Sequence, residues 1–269
     1  MGETLPEAFR AGMRQLGLES VGAGEGLNGE GNFMVARMQE TPTVIQQFLR
    51  YRQELLDWNI RFNLTAITDP EEILIKHFLD SLSLLLVYNR PAARLLDIGA
   101  GAGFPGLALK IVRPDWQMTL LEATGKKVTF LRHMIELLQL TGIEAVHGRA
   151  EELGHKAEYR ASFDIVTARA VASLPALLEY AAPFCRVGGQ IILPKKGDLA
   201  EELAQGKRAA GQVGAVLRDD IAVTLPGLED GRRLLVWEQR KACRARFPRG
   251  GAAMAKKPLG EITRTSSTS

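Results

Sequence analysis

The segment LLDIGAGAGFPGLAL, residues 95–109, has a composition that lets the backbone approach a ligand closely. An aliphatic run ends in Asp97, and glycines follow at positions 99, 101, 103 and 106, with Phe104 and Pro105 between the last two. Because glycine lacks a Cβ, main-chain N–H groups in such a turn can contact a phosphate or a cofactor directly. The segment predicts a strand, a ligand-binding turn and the start of a helix.

The glycines fit two known patterns. Gly101, Gly103 and Gly106 match the dinucleotide fingerprint G-x-G-x-x-G. Asp97, Gly99, Gly101 and Gly103 form an acid–glycine loop that resembles motif I of class I methyltransferases, which bind S-adenosylmethionine. We favour the second pattern because the dinucleotide glycines begin four residues past Asp97, late for a tight turn, and because Asp97 at a strand end can face an ammonium group. A turn that only packs helix on strand is the structural alternative.

Two further segments supply acids that could contact a nucleoside. Glu122 ends the run MTLLE, 19 residues after Gly103, and a carboxylate at the end of a second strand can accept hydrogen bonds from ribose hydroxyls. In HGRAEEL, the Ala150 N–H and the Glu151 side chain could hold an adenine, although a helix start decorated with acids explains the same residues. In an open α/β sheet, ligands bind outside the carboxyl ends of the strands, where these segments would meet.

Arg169 follows the strand-like run FDIVTA and would lie at the same edge of the sheet. A guanidinium beside a buried strand must be paired or must serve a ligand, because an isolated charge is costly to bury. Arg169 is therefore a candidate site residue.

These side chains require a sheet that alternates with helices. Strand-like runs occur at 94–98, 118–122, 143–147, 163–168 and 190–194, and helix-like runs at 106–112, 125–140, 174–183 and 198–211. This alternation predicts a mostly parallel sheet with helices on both faces. The later runs AVLRDDIAVTLPG and RRLLVWEQRKA, joined by a turn around 229–231, predict an antiparallel pair at the edge.

The first 90 residues have helical patterns instead. Residues 43–58 and 70–87 show helical spacing, and Asp69 followed by proline predicts an N-cap. Residues 20–33 hold five glycines and read as a flexible insert. We expect an N-terminal segment over 1–42, a helical extension over 43–90, a cofactor-binding domain over 91–242 and a basic tail over 243–269.

Composition sets limits without naming a ligand. The chain has 269 residues, 46% hydrophobic and 24% charged, with a formal net charge of only +3. The N-terminus lacks the features of a signal peptide, no apolar run is long enough to span a membrane, and two cysteines suggest no disulfide framework. We expect a cytoplasmic protein.

The histidines at positions 77, 133, 147 and 155 show no metal-ligand spacing, and no nucleophile motif appears. We expect no metal site and interpret each histidine as a surface or packing residue. The run HFLDSL, with His77, Asp80 and Ser81, could approach a substrate, but we favour a packing role for these residues.

The combination of segments resembles the bacterial small-subunit ribosomal RNA guanine-N7 methyltransferase family, also called glucose-inhibited division protein B. The matching segments include WNIRFNLTAITDPEEILIKHFLDSLSLL, LLEATGKKVTFLRHM, FDIVTARAVASL and RFPRGGAAMAKKPLG, besides the glycine loop, and they cover roughly residues 43–260. The resemblance implies a class I methyltransferase fold with a seven-stranded sheet and a small helical extension. It also implies S-adenosylmethionine as cofactor and, as substrate, a guanine in the 530 loop of 16S rRNA, position 527 in the usual rRNA numbering.

Carried over residue by residue, the resemblance places Gly99 and Phe104 at the cofactor and Glu122 at its ribose. It places Ala150 and Glu151 beside the adenine. Arg169 would line the pocket near the methyl group, with Lys196 as a second catalytic residue. The family usually shows a single lysine before glycine where this chain has PKKG, so Lys196 matches better than Lys195.

The expected chemistry needs no general base, because guanine N7 carries a lone pair and no proton. Alignment and proximity would provide the catalysis. Arginine commonly reads guanine through O6 and N7 together, which would block the nucleophile, so Arg169 should orient the base or contact phosphate. A reductase using NAD(P), a non-catalytic ribosome-assembly factor and a small-molecule methyltransferase remain as alternatives.

The C-terminal region is basic, with ten lysines and arginines against two acids over 232–264. Such residues can neutralise RNA phosphates. The candidates are Lys241, Arg244, Arg246, Arg249, Lys256 and Lys257. The alternative is a solvated, disordered tail. We expect the partner to be 16S rRNA or the 30S subunit, and the protein to be a monomer.

Overall fold

The structure is a computed structural model that describes residues 5–18, 42–169 and 172–261. The glycine-rich insert predicted at 20–33 and the last eight residues of the tail lie outside the described residues. Within the described part, no helix is long and apolar enough to cross a membrane.

A seven-stranded sheet forms the centre of the molecule, in the order β3-β2-β1-β4-β5-β7-β6. The strands are β1 (Arg94–Ile98), β2 (Gln117–Glu122), β3 (Ile143–His147), β4 (Phe163–Ala168), β5 (Cys185–Lys196), β6 (Ala215–Ala222) and β7 (Arg232–Gln239). The first five strands pair in parallel, and β7 is antiparallel to both β5 and β6. The mostly parallel sheet with an antiparallel edge is confirmed.

Helices cover both faces of the sheet because the strands are apolar on both sides. The crossing helices are α5 (Gly106–Val112), α6 (Gly125–Leu137), α7 (Ala150–Leu153), α8 (Leu174–Ala181) and α9 (Ala200–Val213). One apolar core lies under α5 and α6, and a second lies under α8 and α9. Trp116 and Trp237, each almost fully buried, belong to the first and the second core respectively.

The N-terminal helices pack against the α5–α6 face. They are α1 (Glu7–Gln15) and α2 (Pro42–Phe62), and α2 buries Phe48, Tyr51 and Leu55 completely. Tyr51 stacks on Phe104 of the glycine loop, with ring centroids 5.3 Å apart. The helical extension therefore supports the loop from behind.

The helical run predicted over 70–87 is continuous but changes its hydrogen-bond pattern. It comprises α3 (Pro70–Ile73), a π-helix (Leu74–Leu79), α4 (Asp80–Leu82) and a 3₁₀-helix (Ser83–Leu86). The Asp69 carboxylate accepts hydrogen bonds from the N–H groups of Glu71 and Glu72, which confirms the predicted N-cap. π-helical turns are rare and frequently mark functional sites. His77 lies in this one.

After β7 the chain returns to the surface of the domain. Phe247, Met254 and Leu259 are buried, and α10 (Gly251–Lys256) forms a short helix. The Arg160 guanidinium donates to main-chain carbonyls of four residues, Gly154, Cys243, Arg244 and Phe247. A solvated, disordered tail is wrong for residues up to Leu259, because Phe247 and Leu259 pack in the second core.

Candidate functional site

A cavity of about 490 Å³ opens at the carboxyl ends of the parallel strands. We call it the cofactor cavity. Its walls include Gly99, Gly101, Phe104, Glu122, Ala150, Glu151 and Arg169, all of them predicted site residues. The volume is typical of pockets that bind small molecules.

Gly101 forms the turn of the loop with a positive φ of 59°, and its N–H donates to Glu122 Oε2 over 2.9 Å. The other carboxylate oxygen of Glu122 accepts the Thr124 N–H over 2.8 Å. Glu122 is thus fixed by two main-chain donors at the cavity wall, and each oxygen retains a lone pair for a further donor. This arrangement suits the hydroxyls of a ribose.

Gly103 does not line the cavity, contrary to expectation. It has a φ of 92°, and a Cβ at this position would lie 2.4 Å from the Tyr51 hydroxyl and 2.3 Å from a methyl carbon of Leu107. The residue must be glycine because α2 and α5 pack against it, not because a ligand approaches it.

Asp97 also stays behind the loop. Its side chain has no exposure, and Oδ2 accepts the Gly106 N–H over 2.9 Å at the start of α5. Oδ1 has no hydrogen-bond partner among the described residues. Burial raises the pKa of this carboxyl to about 7, although the Gly106 hydrogen bond and Arg169 oppose the shift. The carboxylate does not face the cavity as predicted, because the N-terminus of α5 holds it.

Gly106 is likewise a packing residue. A Cβ there would lie 2.2 Å from a methyl carbon of Leu120, and the residue does not line the cavity. In the dinucleotide pattern the second glycine approaches the ligand, but Gly103 does not line the cavity. Gly99 and Gly101 of the acid–glycine loop do, so that pattern describes the turn better.

The far end of the cavity is formed by α7 and α8. Ala150 begins α7, and Glu151 lies 3.8 Å from Arg149 Nη1. Tyr180, on α8, also lines this end. The C-terminal segment approaches from outside, since a Cβ on Gly251 would lie 3.5 Å from Glu151 Oε1. The sequence did not single out Tyr180.

Arg169 is held by a network at the opposite end. Its Nη1 donates to Asp80 Oδ2 over 2.8 Å, and its Nη2 donates to His77 Nδ1 over 3.1 Å. The guanidinium carbon lies 5.2 Å from the centre of the Phe104 ring. Asp80 is buried and also accepts Arg232 Nη1 over 2.7 Å. The guanidinium is therefore preoriented before any ligand binds.

His77 lines the cofactor cavity. The sequence analysis had favoured a packing role for this residue. Its ring stacks on Phe104 at 4.6 Å, and its Nε2 lies 2.7 Å from Thr65 Oγ1. Arginine has no acceptor, so Nδ1 must be the unprotonated nitrogen and Nε2–H donates to Thr65. Burial and, secondarily, Arg169 lower the pKa of His77 to about 3. The signal that sequence reasoning missed is the π-helical turn, which residue spacing does not reveal.

A second cavity of about 390 Å³ lies on the other side of Arg169 and His77. Lys195 and Lys196 line it, and neither lines the cofactor cavity. Lys195 pairs with Glu202 at 2.7 Å and Lys196 with Asp230 at 3.0 Å, with side-chain exposures of 16% and 61%. Lys196 is therefore the lysine that is accessible to a large substrate.

The predicted RNA-binding residues lie on the C-terminal segment. Those exposed are Lys241, Arg244, Arg246, Lys256 and Lys257. Arg249 is different, because its guanidinium makes two hydrogen bonds of 2.7 Å to Glu179, whose side chain is 1% exposed. Arg249 is engaged in holding the segment to α8.

Comparison with known proteins adds the family. Residues 44–222 match the model of the GidB family, described as rRNA small subunit methyltransferase G. A ribosomal RNA small subunit methyltransferase G from Roseiflexus sp. (strain RS-1) is 46% identical over 80% of this chain and 92% of its own length. The protein of that name from Dehalococcoides mccartyi (strain CBDB1) is 48% identical over 79% of this chain and 91% of its own length.

Among solved structures, a predicted O-methyltransferase from Agrobacterium tumefaciens is similar at a TM-score of 0.47. It is 23% identical, and the match covers 58% of this chain and 77% of the other. The family model spans most of the sheet and the whole loop, and the two relatives match over nearly their full length. The chain therefore belongs to the GidB family of small-subunit rRNA methyltransferases.

Proposed function

We propose that the protein transfers the methyl group of S-adenosylmethionine to N7 of guanine 527 in the 530 loop of 16S rRNA. The observation that carries the proposal is the cofactor cavity, in which two carboxylates and a glycine turn lie at one end and a preoriented guanidinium at the other. Family membership supports methyl transfer to small-subunit rRNA.

The residues of the cavity fit the proposed cofactor. Glu122 would accept the ribose hydroxyls, and the Ala150 N–H with the Glu151 carboxylate would hold the adenine. Gly99 and Phe104 would contact the methionine part, because both line the cavity and the Arg169 guanidinium lies over the Phe104 ring. When bound, this cofactor supplies a sulfonium whose methyl carbon is electrophilic.

The reaction we propose needs no proton transfer. The N7 lone pair forms a bond to the methyl carbon, the carbon–sulfur bond breaks, and its electron pair stays on sulfur. The products are a neutral thioether and a positively charged 7-methylguanine. His77 would not act as a base here, because its pKa is lowered to about 3 and its free lone pair already accepts from Arg169. Arg169 and Lys196 would orient the substrate, which is catalysis by alignment.

The exposed cations of the C-terminal segment would provide part of the RNA surface. They are Lys241, Arg244, Arg246, Lys256 and Lys257. Replacing all five by glutamine should weaken binding to RNA of any sequence and flatten its salt dependence, because phosphate contacts release counterions.

The direct test is transfer of a tritiated methyl group from S-adenosylmethionine to 30S subunits and to protein-free 16S rRNA. Both substrates should come from cells that lack the endogenous methyltransferase. The expected result is one mole of 7-methylguanosine per 16S rRNA, mapped to the 530 loop. Label at another nucleotide would overturn the assignment of the site, and binding of the cofactor without label in either RNA would overturn the substrate.

A further inference from the structure

Half of the residues that line the second cavity are lysines or arginines. They are Lys76, Arg169, Lys195, Lys196, Arg232 and Arg233, and Asp80 is the only acidic lining residue among the described residues. We call it the basic cavity. It shares Arg169 and His77 with the cofactor cavity, so the two cavities adjoin at these side chains.

Four of these cations lie on β5 and β7, where the two strands extend past the parallel part of the sheet. The last residue pair that joins β4 to β5 is Thr167 with Ile192, yet β5 continues to Lys196. Over this extension β5 pairs with β7, so that Lys195 faces Arg233 and Lys196 faces Arg232. The charged groups are therefore mounted on rigid strands above the edge where ligands bind in such sheets.

The ion pairs in the basic cavity are of two kinds. Arg169 and Arg232 share the buried carboxylate of Asp80, with side-chain exposures of 18%, 16% and 6%. Lys196 pairs with Asp230 and Arg233 with Asp220, and both cations are more than a third exposed, at 61% and 37%. Exposed pairs contribute only about 0–1 kcal/mol, so an incoming anion can replace the carboxylate at little cost.

We propose that the basic cavity receives the target nucleotide, with Lys196 and Arg233 binding the phosphates that flank it. This inference rests on the proposed function. A base that is modified inside an enzyme must leave its stack and enter a pocket, and its phosphates then define its position. A base in the basic cavity would lie next to the cofactor cavity, because the two cavities adjoin at His77 and Arg169, whereas the C-terminal segment lies beside Glu151 at the other end.

A pair of double variants tests this placement. Lys196→Gln with Arg233→Gln removes two cations from the basic cavity. Arg240→Gln with Arg186→Gln is the matched control, because Arg240 is also 61% exposed and pairs with Glu238 at 2.9 Å, and Arg186 pairs with Asp164 at 2.6 Å as Arg233 does with Asp220. Both changes lower the net charge equally, and the control residues line neither cavity.

Two measurements are made on each full-length protein. Binding to protein-free 16S rRNA is measured from 50 to 200 mM KCl, and the kcat/KM of methyl transfer is measured on the same RNA. We expect the slope of log K against log salt to become shallower in the basic-cavity variant, by roughly 0.7 for each phosphate contact that is lost. We expect its kcat/KM to fall roughly tenfold. S-adenosylmethionine affinity, measured by calorimetry, should stay within about twofold of wild type, because neither residue lines the cofactor cavity.

Equal losses in the two double variants would overturn the inference, since the effect would then come from net charge. Wild-type methyl transfer with a basic-cavity variant that behaves like the control would overturn it and leave the proposed function standing. RNA binding that depends on Lys196 and Arg233 without methyl transfer by the wild type would support the RNA site and overturn the proposed function. A large loss of cofactor affinity in the variant would also contradict the placement.

Discussion

His77 shows how one charge fixes the state of its neighbours. The Arg169 guanidinium donates to Nδ1, and the ring is stacked on Phe104 and partly buried, so protonation would place two cations side by side. A neutral imidazole with its proton on Nε2 is the state that this geometry permits. The same contacts orient Arg169. Its guanidinium donates to His77 and Asp80, and its central carbon lies over the Phe104 ring.

The neutral histidine predicts a pH dependence of stability. Its folded-state pKa of about 3 lies below the ordinary value of 6.5. The unfolded chain therefore binds the proton more readily, and the free energy of unfolding falls as the pH is lowered from 6.5 toward 3. Compared with His77→Gln, wild type should lose more stability between pH 7.5 and pH 5 in urea denaturation. An unchanged difference between the two proteins at both pH values would contradict a neutral, buried His77.

Glu122 predicts a loss of cofactor affinity. In Glu122→Gln one main-chain donor, at Gly101 or Thr124, faces an amide N–H instead of a carboxylate oxygen. The substitution also replaces the charged acceptor that we propose for the ribose hydroxyls by a neutral amide. A hydrogen bond to a charged group contributes about 1.5–3 kcal/mol, so S-adenosylmethionine should bind roughly tenfold or more weakly in calorimetry. Glu136→Gln, an exposed carboxylate on α6, is the control and should bind as wild type. Equal affinities in the two variants would remove Glu122 from the site.

At the scale of elements, the conformation of the glycine loop is set by packing against α2 as much as by the needs of a ligand. Tyr51 of α2 donates its hydroxyl proton to the Ala102 carbonyl and stacks on Phe104. Gly103 allows this contact, because any side chain there would occupy the space of the tyrosine. The helical extension and the loop are therefore one packed unit.

Replacing glycine by alanine should have opposite effects on stability at a crowded turn and in an open helix position. Gly103→Ala should destabilise the protein by about 1–3 kcal/mol, because the methyl group overlaps Tyr51 and Leu107 at a positive φ. Gly211→Ala, inside α9 with nothing within 4 Å of the added Cβ, should stabilise it by about 0.5–1 kcal/mol. Thermal or urea unfolding of both variants measures the difference. A tolerated Gly103→Ala would mean that α2 does not press on the loop.

Sequence patterns predicted the elements well where one local signal decides. Apolar runs located the strands, and β1, β3 and β4 begin and end at the predicted residues. Patterns were insufficient where a distant neighbour decides. The Asp97 side chain points away from the cavity because it accepts a hydrogen bond from the N-terminus of α5. His77 reaches the cavity from a π-helical turn that packs against the loop. β5 continues past the predicted end at 194 to Lys196 because Lys195 and Lys196 pair with Arg233 and Arg232 of β7.

At the scale of the whole molecule, the segment after β7 ties the edge of the domain to its centre. Arg160 binds its carbonyls, Phe247 enters the second core, and Arg249 pairs with the buried Glu179 of α8. Arg249, which the sequence analysis assigned to RNA binding, therefore stabilises the fold. The other five predicted RNA-binding cations on this segment are exposed, and their contact with RNA stays a prediction.

Arg249 predicts a stability effect that its neighbours lack. Arg249→Met removes the guanidinium from the buried Glu179 carboxylate and leaves it only the main-chain N–H of residue 249 as a donor among the described residues, and should cost about 3–5 kcal/mol of unfolding free energy. The double variant Arg249→Met with Glu179→Met should recover much of this loss, because both charges are removed. Arg244→Met, exposed on the same segment, should leave the midpoint of unfolding almost unchanged. Equal effects of Arg249→Met and Arg244→Met would mean that the pair contributes nothing to folding.

Arg169 belongs to the walls of both cavities, and this has a consequence for how ligands influence one another. A ligand that moves the guanidinium in one cavity changes the surface that the other cavity presents. By thermodynamic linkage, occupation of either cavity must then alter the affinity of the other by the same factor. Under the proposed function, the methyl donor and the acceptor nucleotide would therefore each change, by one common factor, the affinity with which the other binds.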